Sequence, residues 1–356
     1  LAIPLLVLTA IPSLAGEAEK SWDLLEVPAK PSLHMLQGLQ TAVALAGHRL
    51  LSVGAGGLIL LSDDNGQSWR PAQKVPVSVL LTNLFFVSPE QGWAIGHGGV
   101  ILVTHDGGET WQKQLDGQQA AQIELDSAKA DERKDDPASQ RRVQEAERLV
   151  TDGADKPFFG LTFSDATHGM VVGAYGLAFA TSDAGASWHS IIGAIDNPRG
   201  KHLYAIASAP GGLFIAGEEG SIFRSQDGGA HFVALKTPSR GTFFGLLTSK
   251  KGDLVAFGLR GDAYRSGDQG NDWQKLDLPT SGLNGGARLR NGDLVIVDDW
   301  GEALISHDDG RTFAAGGAPQ AMGLIGVVEA EDGSLAAAGT RGDVKLMTST
   351  KAEPNK

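Results

Sequence analysis

An all-β chain folded as a seven-bladed β-propeller is the architecture this sequence predicts, and three observations carry the prediction. An octet, Ser/Thr-x-Asp-x-Gly-x-polar-aromatic, occurs six times, at residues 62–69, 104–111, 181–188, 225–232, 266–273 and 306–313. A short hairpin ending in glycine precedes every copy, at Gly57, Gly99, Gly176, Gly220, Gly261 and Gly301, and recurs at Gly342 with no octet behind it. Measured from Asp to Asp, the intervals are 42, 77, 44, 41 and 40 residues, the mark of a repeat fold carrying one insertion.

Each octet is a turn with its own fastening. The aspartates Asp64, Asp106, Asp183, Asp227, Asp268 and Asp308 are placed to accept bonds from nearby backbone N–H groups and from the Ser/Thr hydroxyl. Glycine supplies a positive φ, and the aromatic residue opens the next strand. These aspartates are therefore assigned a structural role. A repeat then reads inner strand, second strand, hairpin tip, third strand, octet, outer strand. One such sheet cannot bury both faces alone, so neighbours must stack radially.

The seventh repeat is split between the chain's ends. Ser21-Trp22-Asp23-Leu24-Leu25 copies the residues after an octet aspartate, and the hairpin at Gly342 copies those before one. Trp22 is thus expected to open the outer strand of a blade whose other strands come from the C-terminal end, so that N- and C-terminal strands close one blade. Such closure removes an exposed sheet edge.

The 77-residue interval holds an insertion over residues 116–156, with 11 acidic and 7 basic side chains. It lacks strand alternation, and two helices are expected, at 118–133 and 138–150. Asp136 is placed as N-cap of the second, with Pro137 at its first position. Val143, Ala146 and Leu149 or Val150 fall on one narrow face. The pair is read as a hairpin projecting between blades two and three, on the side that carries the hairpin tips.

Composition narrows the function classes. The formal charge of -12 and the low aromatic content argue against a nucleic-acid partner. There is no cysteine, so disulfides contribute nothing. Residues 1–15 are almost wholly apolar, and Ser13 and Ala15 offer small residues before Gly16, as in a secretory signal whose start is truncated. The expected organisation is a signal peptide at 1–15, a propeller at 16–350 and a disordered tail at 351–356. The mature chain is read as an exported, periplasmic monomer.

The variable tips are the candidate working surface. Tyr175, Arg260, Trp300 and Arg341 stand there, a mixture typical of protein-recognition anchors. A glycoside hydrolase is the alternative, with Glu218, Glu219, Asp298 and Asp299 as acids and Tyr175, Tyr204 and Tyr264 as tyrosines of the sialidase kind. No two of the nine histidines stand at metal-ligand spacing, and the glycine-rich tips precede strands, not the helix that a phosphate loop needs. No metal or cofactor is assigned.

The octet resembles the Asp-box of sialidase-like propellers. With its Gly-x-x-Gly tip, the repeat is similar over about residues 20–350 to the photosystem II stability/assembly factor family. That resemblance implies a non-enzymatic seven-bladed scaffold that binds a membrane protein or membrane-associated complex. The thylakoid lumen is implied for a photosynthetic host, and an exporter system as client elsewhere. The Arg-Gly tip ending survives at Arg260-Gly261 and Arg341-Gly342, whereas the charged insertion departs from the photosynthetic pattern.

Overall fold

The computed structural model describes residues 23–30, 36–278 and 282–346. Within them the strands form seven antiparallel sheets in chain order, six of four strands and a last one of three. The innermost strands begin at Gln40, Leu81, Phe158, Leu203, Phe243, Leu283 and Leu324. Each touches the next, and the last touches the first, so the seven sheets surround one axis.

Small residues permit this approach. A Cβ on Gly285 would lie 2.2 Å from the Ile325 carbonyl, and one on Gly326 would lie 3.1 Å from the Ala42 Cα. Hydrophobic clusters fill the spaces between neighbouring sheets, around Trp93, Phe179, Phe214 and Phe257 among others, all essentially inaccessible to solvent. Each sheet thus covers the face that its neighbour cannot leave wet.

The octets form a repeated turn at one end of the ring. The hydroxyl of Thr104 donates to Asp106 Oδ1 at 2.8 Å and accepts from the Gly108 N–H at 3.0 Å. Asp106 also accepts from the Thr110 N–H at 2.9 Å and hydroxyl at 2.6 Å. The same Ser/Thr to Asp bond recurs at Ser62, Thr181, Ser225, Ser266 and Ser306. All six hydroxyl residues are buried, while the aspartates face water. Gly108 sits at φ +88, and a Cβ there would meet Leu51 of the first sheet at 2.2 Å. The turn therefore fastens its own sheet and seats it on the preceding one.

At the opposite end, the first residue of every tip donates its N–H to the carbonyl just before the inner strand. The seven bonds run from Ala55, His97, Ala174, Glu218, Leu259, Asp299 and Thr340, at 2.8–3.1 Å. Tips and inner-strand starts consequently share one face, here called the tip face.

Two helices stand between the second and third sheets, α1 (Gly117–Ala130) and α2 (Pro137–Asp152). Asp116 caps α1 in a capping box, and Asp136 caps α2 through the Ala138 N–H at 2.9 Å, with Pro137 at the first position. Val143 and Ala146 are buried against Leu125 and Ala128, Leu149 is partly buried, and Val150 faces water. The pair does not project as expected. It lies along the outer strand of the third sheet, where Glu124, almost fully buried, accepts from the Ser190 hydroxyl and pairs with Arg142 at 2.8 Å. An amphipathic hairpin of this length buries its apolar stripe on the nearest open sheet edge.

The N-terminal expectation is also modified. Trp22, the apolar segment 1–15 and the tail 351–356 lie outside the described residues. The described part, Asp23 to Leu25, is a turn and not an outer strand. Asp23 accepts from the Leu25 N–H at 3.0 Å through its side chain and from the Glu26 N–H at 2.9 Å through its carbonyl. Residues 24–29 run beside the connection from first to second sheet, with the Leu24 carbonyl on the Ser78 N–H and the Ala29 N–H on the Val75 carbonyl. Leu25 is buried over Gly98, and Lys113 binds its carbonyl.

One buried carboxyl marks the seam between last and first sheets. Asp343 lies against Ser52, whose hydroxyl donates to it at 2.5 Å and lies 3.3 Å from the Gln40 amide oxygen. Burial pushes the Asp343 carboxyl up to about 7, despite the opposing Ser52 bond.

Three outcomes are expected for stability. Thr104→Val strands the buried Gly108 N–H and should cost about 1–3 kcal/mol in denaturant unfolding. The bonds from Ser68 and Ser187 hold Asp64 and Asp183 down at about 2. Stability from these groups is complete above the ordinary carboxyl pKa and is lost as pH falls toward 2, so an Asp64→Asn/Asp183→Asn variant should show a shallower decline in melting temperature between pH 5 and pH 2. Asp343 has the opposite sign, because its folded pKa is raised. Its stabilisation is lost as pH rises through 7, and Asp343→Asn should gain melting temperature relative to wild type between pH 5 and pH 8.

Candidate functional site

The tip face carries the side chains that the fold leaves unsatisfied. Among the described residues, the large apolar side chains most open to water are Leu24, Val150, Tyr175, Val233, Leu259 and Trp300. Leu24, Tyr175, Leu259 and Trp300 lie at this one end. Tyr175 and Trp300 are each 61% exposed. Their placement on one face makes that face the candidate surface.

Three arginines there stand without partners as well. Among the described residues, no hydrogen bond or ion pair engages the side chains of Arg240, Arg260 or Arg341, all exposed. By contrast, Arg49, Arg70, Arg142, Arg265 and Arg290 are held by carboxylates. No periodic mark in the sequence points to Arg240, because it sits in the connection into the fifth sheet. Gly241, next to it, accepts from the Gly220 N–H, and Ser239 binds Asp262, so Arg240 stands between the tips of the fourth and fifth sheets.

Several tips share a backbone geometry that also recurs in the octets, at Asn65, Ala184, Gln269 and Asp309. Tyr175, Glu219 and Arg260 hold φ of 55, 53 and 60, in the place that Gly56 and Gly98 fill in the first two sheets. A non-glycine residue in this left-handed region costs roughly 1–2 kcal/mol. The four tip residues named from sequence are not one cluster. Arg260, Trp300 and Arg341 come from the fifth, sixth and seventh sheets, with no ring or ion-pair contact joining them, and Tyr175 belongs to the third.

Tyr175 instead begins an aromatic path toward the axis. Its ring lies 5.2 Å from Lys156 Nζ, at the end of the insertion, and 4.7 Å from the His202 ring. His202 approaches Tyr204 at 6.3 Å; Tyr204 stacks on Phe159 at 4.8 Å and meets Phe244 edge-on at 5.3 Å. Phe159, Tyr204 and Phe244 are each second in an inner strand, where the pairing register slips by one residue. The bulge turns these rings toward the axial channel, a cavity of about 380 Å³ lined by all seven inner strands.

The candidate hydrolase acids are occupied by the fold. Asp298 is fully buried and accepts from the Trp300 and Glu302 N–H groups at 2.9 and 2.8 Å. Asp299 accepts from Asn284 at 2.8 Å, and Glu218 from the His202 N–H at 2.8 Å. Glu219 pairs with Arg199 at 2.5 Å and Lys201 at 3.3 Å, and these cations, Lys201 foremost, hold its carboxyl below the ordinary value. Tyr264 is buried, and burial raises its hydroxyl pKa. A wider groove of about 1040 Å³ lies between the third and fourth sheets beside the helices. Within its lining Arg142 pairs with Asp131, and the His231 ring lies 2.9 Å from Asp227. Each of these candidate acids is therefore engaged by a hydrogen bond or ion pair within the fold.

Comparison with known proteins agrees with this architecture. The family description "Photosynthesis system II assembly factor YCF48" matches residues 141–339, and the BNR/Asp-box repeat matches residues 102–113. The solved structure of YCF48 from Cyanidioschyzon merolae superposes with a TM-score of 0.60 at 12% identity, covering 86% of this chain and 95% of that one. YCF48 bound to D1 peptide gives 0.52 at 18% identity, covering 91% and 88%. An ancestral GH74 enzyme gives 0.59 at 11%, covering 86% of this chain and 44% of that chain. At such identities these likenesses show the propeller fold alone. Comparison with curated proteins gave no match. With its family match spanning more than half of the residues, this Asp-box propeller belongs to the photosystem II assembly factor YCF48 family.

Proposed function

We propose that this chain is an exported, non-enzymatic scaffold whose tip face binds a membrane protein or membrane-associated complex and assists its assembly or stability. In this reading the seven sheets act as the blades of one closed propeller, residues 16–350, with the helical pair inserted between blades two and three. The chain works as a monomer in the periplasm, or in the thylakoid lumen if its host is photosynthetic. The observation that carries the reading is the concentration of exposed Tyr175, Leu259 and Trp300 with the unpaired Arg240, Arg260 and Arg341 on one end of a rigid ring. Among the described residues, no helix is long and apolar enough to cross a membrane. A YCF48 relative was solved with a D1 peptide, and the same mode, a client segment laid on the propeller, suits this face. A client belonging to an exporter system fits a host without photosystems.

Arginines free of internal partners on a chain of net charge -12 give local, salt-sensitive contacts in place of general attraction. An exposed aromatic beside them supplies an anchor. The experiment is recovery of partners from detergent-solubilised membranes with wild type and with Arg260→Ala/Trp300→Ala/Arg341→Ala. Wild type should retain a partner that the triple variant loses, and equal recovery by both would remove this face from consideration. Arg260→Gly separates stability from binding. Glycine relieves the positive φ and the arginine gives up no internal bond, so melting temperature should hold or rise while partner recovery falls.

A further inference from the structure

The channel mouth is built in two unlike halves. In the first, second and sixth sheets the bulged residue is polar and already committed to the next sheet. Thr41 donates to the Leu81 carbonyl at 2.7 Å, Thr82 to the Phe158 carbonyl at 2.6 Å and Asn284 to the Leu324 carbonyl at 2.9 Å. In the third, fourth and fifth sheets the same position holds Phe159, Tyr204 and Phe244, half-buried and in ring contact. These rings are not needed to complete a hydrogen-bond circuit, and their inner faces border open channel.

The fifth-sheet end of this aromatic arc is flanked by free cations. The tip residue Leu259 donates its N–H to the Thr242 carbonyl, which places Arg260 beside the strand start that carries Phe244. Arg240 precedes that strand by three residues, on the connection into it. Apolar rings thus line a cavity of about 380 Å³, roomy enough for a large side chain, and two arginines for which the described residues offer no ion pair stand on the tip and the connection next to the strand that carries Phe244.

We infer that the arc Phe159–Tyr204–Phe244 receives a bulky apolar or aromatic side chain of an extended client segment, and that Arg240 and Arg260 hold a carboxylate next to it. This rests on the tip face being the client surface and adds what the client must present. The charge is complementary because, among the described residues, neither guanidinium has a counter-ion. An offset stack or edge contact on Tyr204 gives the apolar group its orientation. The carboxylate has two sources, an acidic side chain or a chain terminus.

The test uses the full chain and four flexible twelve-residue Gly/Ser peptides, read by isothermal titration. One ends in Phe with a free carboxylate, one in Phe amide, one carries internal Asp-Phe with an amidated end, and one ends in Gly with a free carboxylate. At least one peptide with both Phe and a carboxylate should bind tenfold or more tighter than the Phe amide and the Gly peptide. Which of the two does so identifies the source. Tyr204→Leu, or Phe244→Ala should the first variant misfold, should weaken that peptide about tenfold. Arg240→Ala should weaken it and flatten its dependence on salt. Four equal affinities, no binding by any peptide, or indifference to both aromatic variants overturns the inference. The partner recovery above, repeated with the Tyr204 and Phe244 variants, separates the two failures. Loss with the tip triple variant but not with these leaves the face standing without this pocket, and retention by all removes both.

Discussion

A buried hydroxyl at the end of the third strand in six of the seven sheets is the constraint on which the ring depends. Ser62, Thr104, Thr181, Ser225, Ser266 and Ser306 are shut off from water, yet each has a donor and an acceptor to satisfy. The aspartate two residues on takes the proton, and the glycine N–H two further on fills the lone pair. With both demands met inside eight residues, the chain reverses tightly enough for the glycine to touch the neighbouring sheet. Remove that closure and the radial stacking of aliphatic faces loses its spacing. The carboxylates remain in water, where hydrogen bonds to the charged form lower their pKa against the small opposing effect of burial.

The two ends of the ring consequently have different chemistry. At the octet end, polar groups are consumed by the turn that holds them. At the tip end, backbone bonds hold each hairpin, and side chains are left over. Left-handed φ occurs at both ends, at Tyr175, Glu219 and Arg260 in the tips and at Asn65, Ala184, Gln269 and Asp309 in the octets, so the turns themselves impose it. Loops on a rigid scaffold are also where recognition concentrates.

Much of this was legible in the residues. The octets and tips locate the sheets because their turn chemistry is local, and the Asp136-Pro137 pair marks the start of α2 for the same reason. What failed to be legible depended on partners distant in sequence. Asp23 to Leu25 imitates the residues after an octet aspartate, but a strand needs an edge to pair with, and Asp23 closes a turn instead. The helical hairpin was visible from its periodicity, whereas its resting place on the third sheet is decided by Glu124, Arg142 and Ser190, 66 residues apart at the widest. Arg240 carries no motif. The channel-facing rings were hidden by the bulge, which puts two successive residues out of alternation. The Phe158-Phe159-Gly160 and Phe243-Phe244-Gly245 doublets were the available signal.

That bulge also sets how freely the mouth can change. Each inner strand sets aside one residue, Thr41, Thr82, Phe159, Tyr204, Phe244, Asn284 or Ile325, which is left out of the pairing register with the second strand. At Gly160, Gly285 and Gly326 the next strand presses on the residue after it, whereas the set-aside residues border the axis. Three of them, Thr41, Thr82 and Asn284, are tied to the next sheet by a side-chain hydrogen bond, while among the described residues Phe159, Tyr204 and Phe244 give it none. An exchange of side chain in those three blades therefore removes no bond between sheets, and the mouth of the channel can be relettered there without disturbing the joints of the ring.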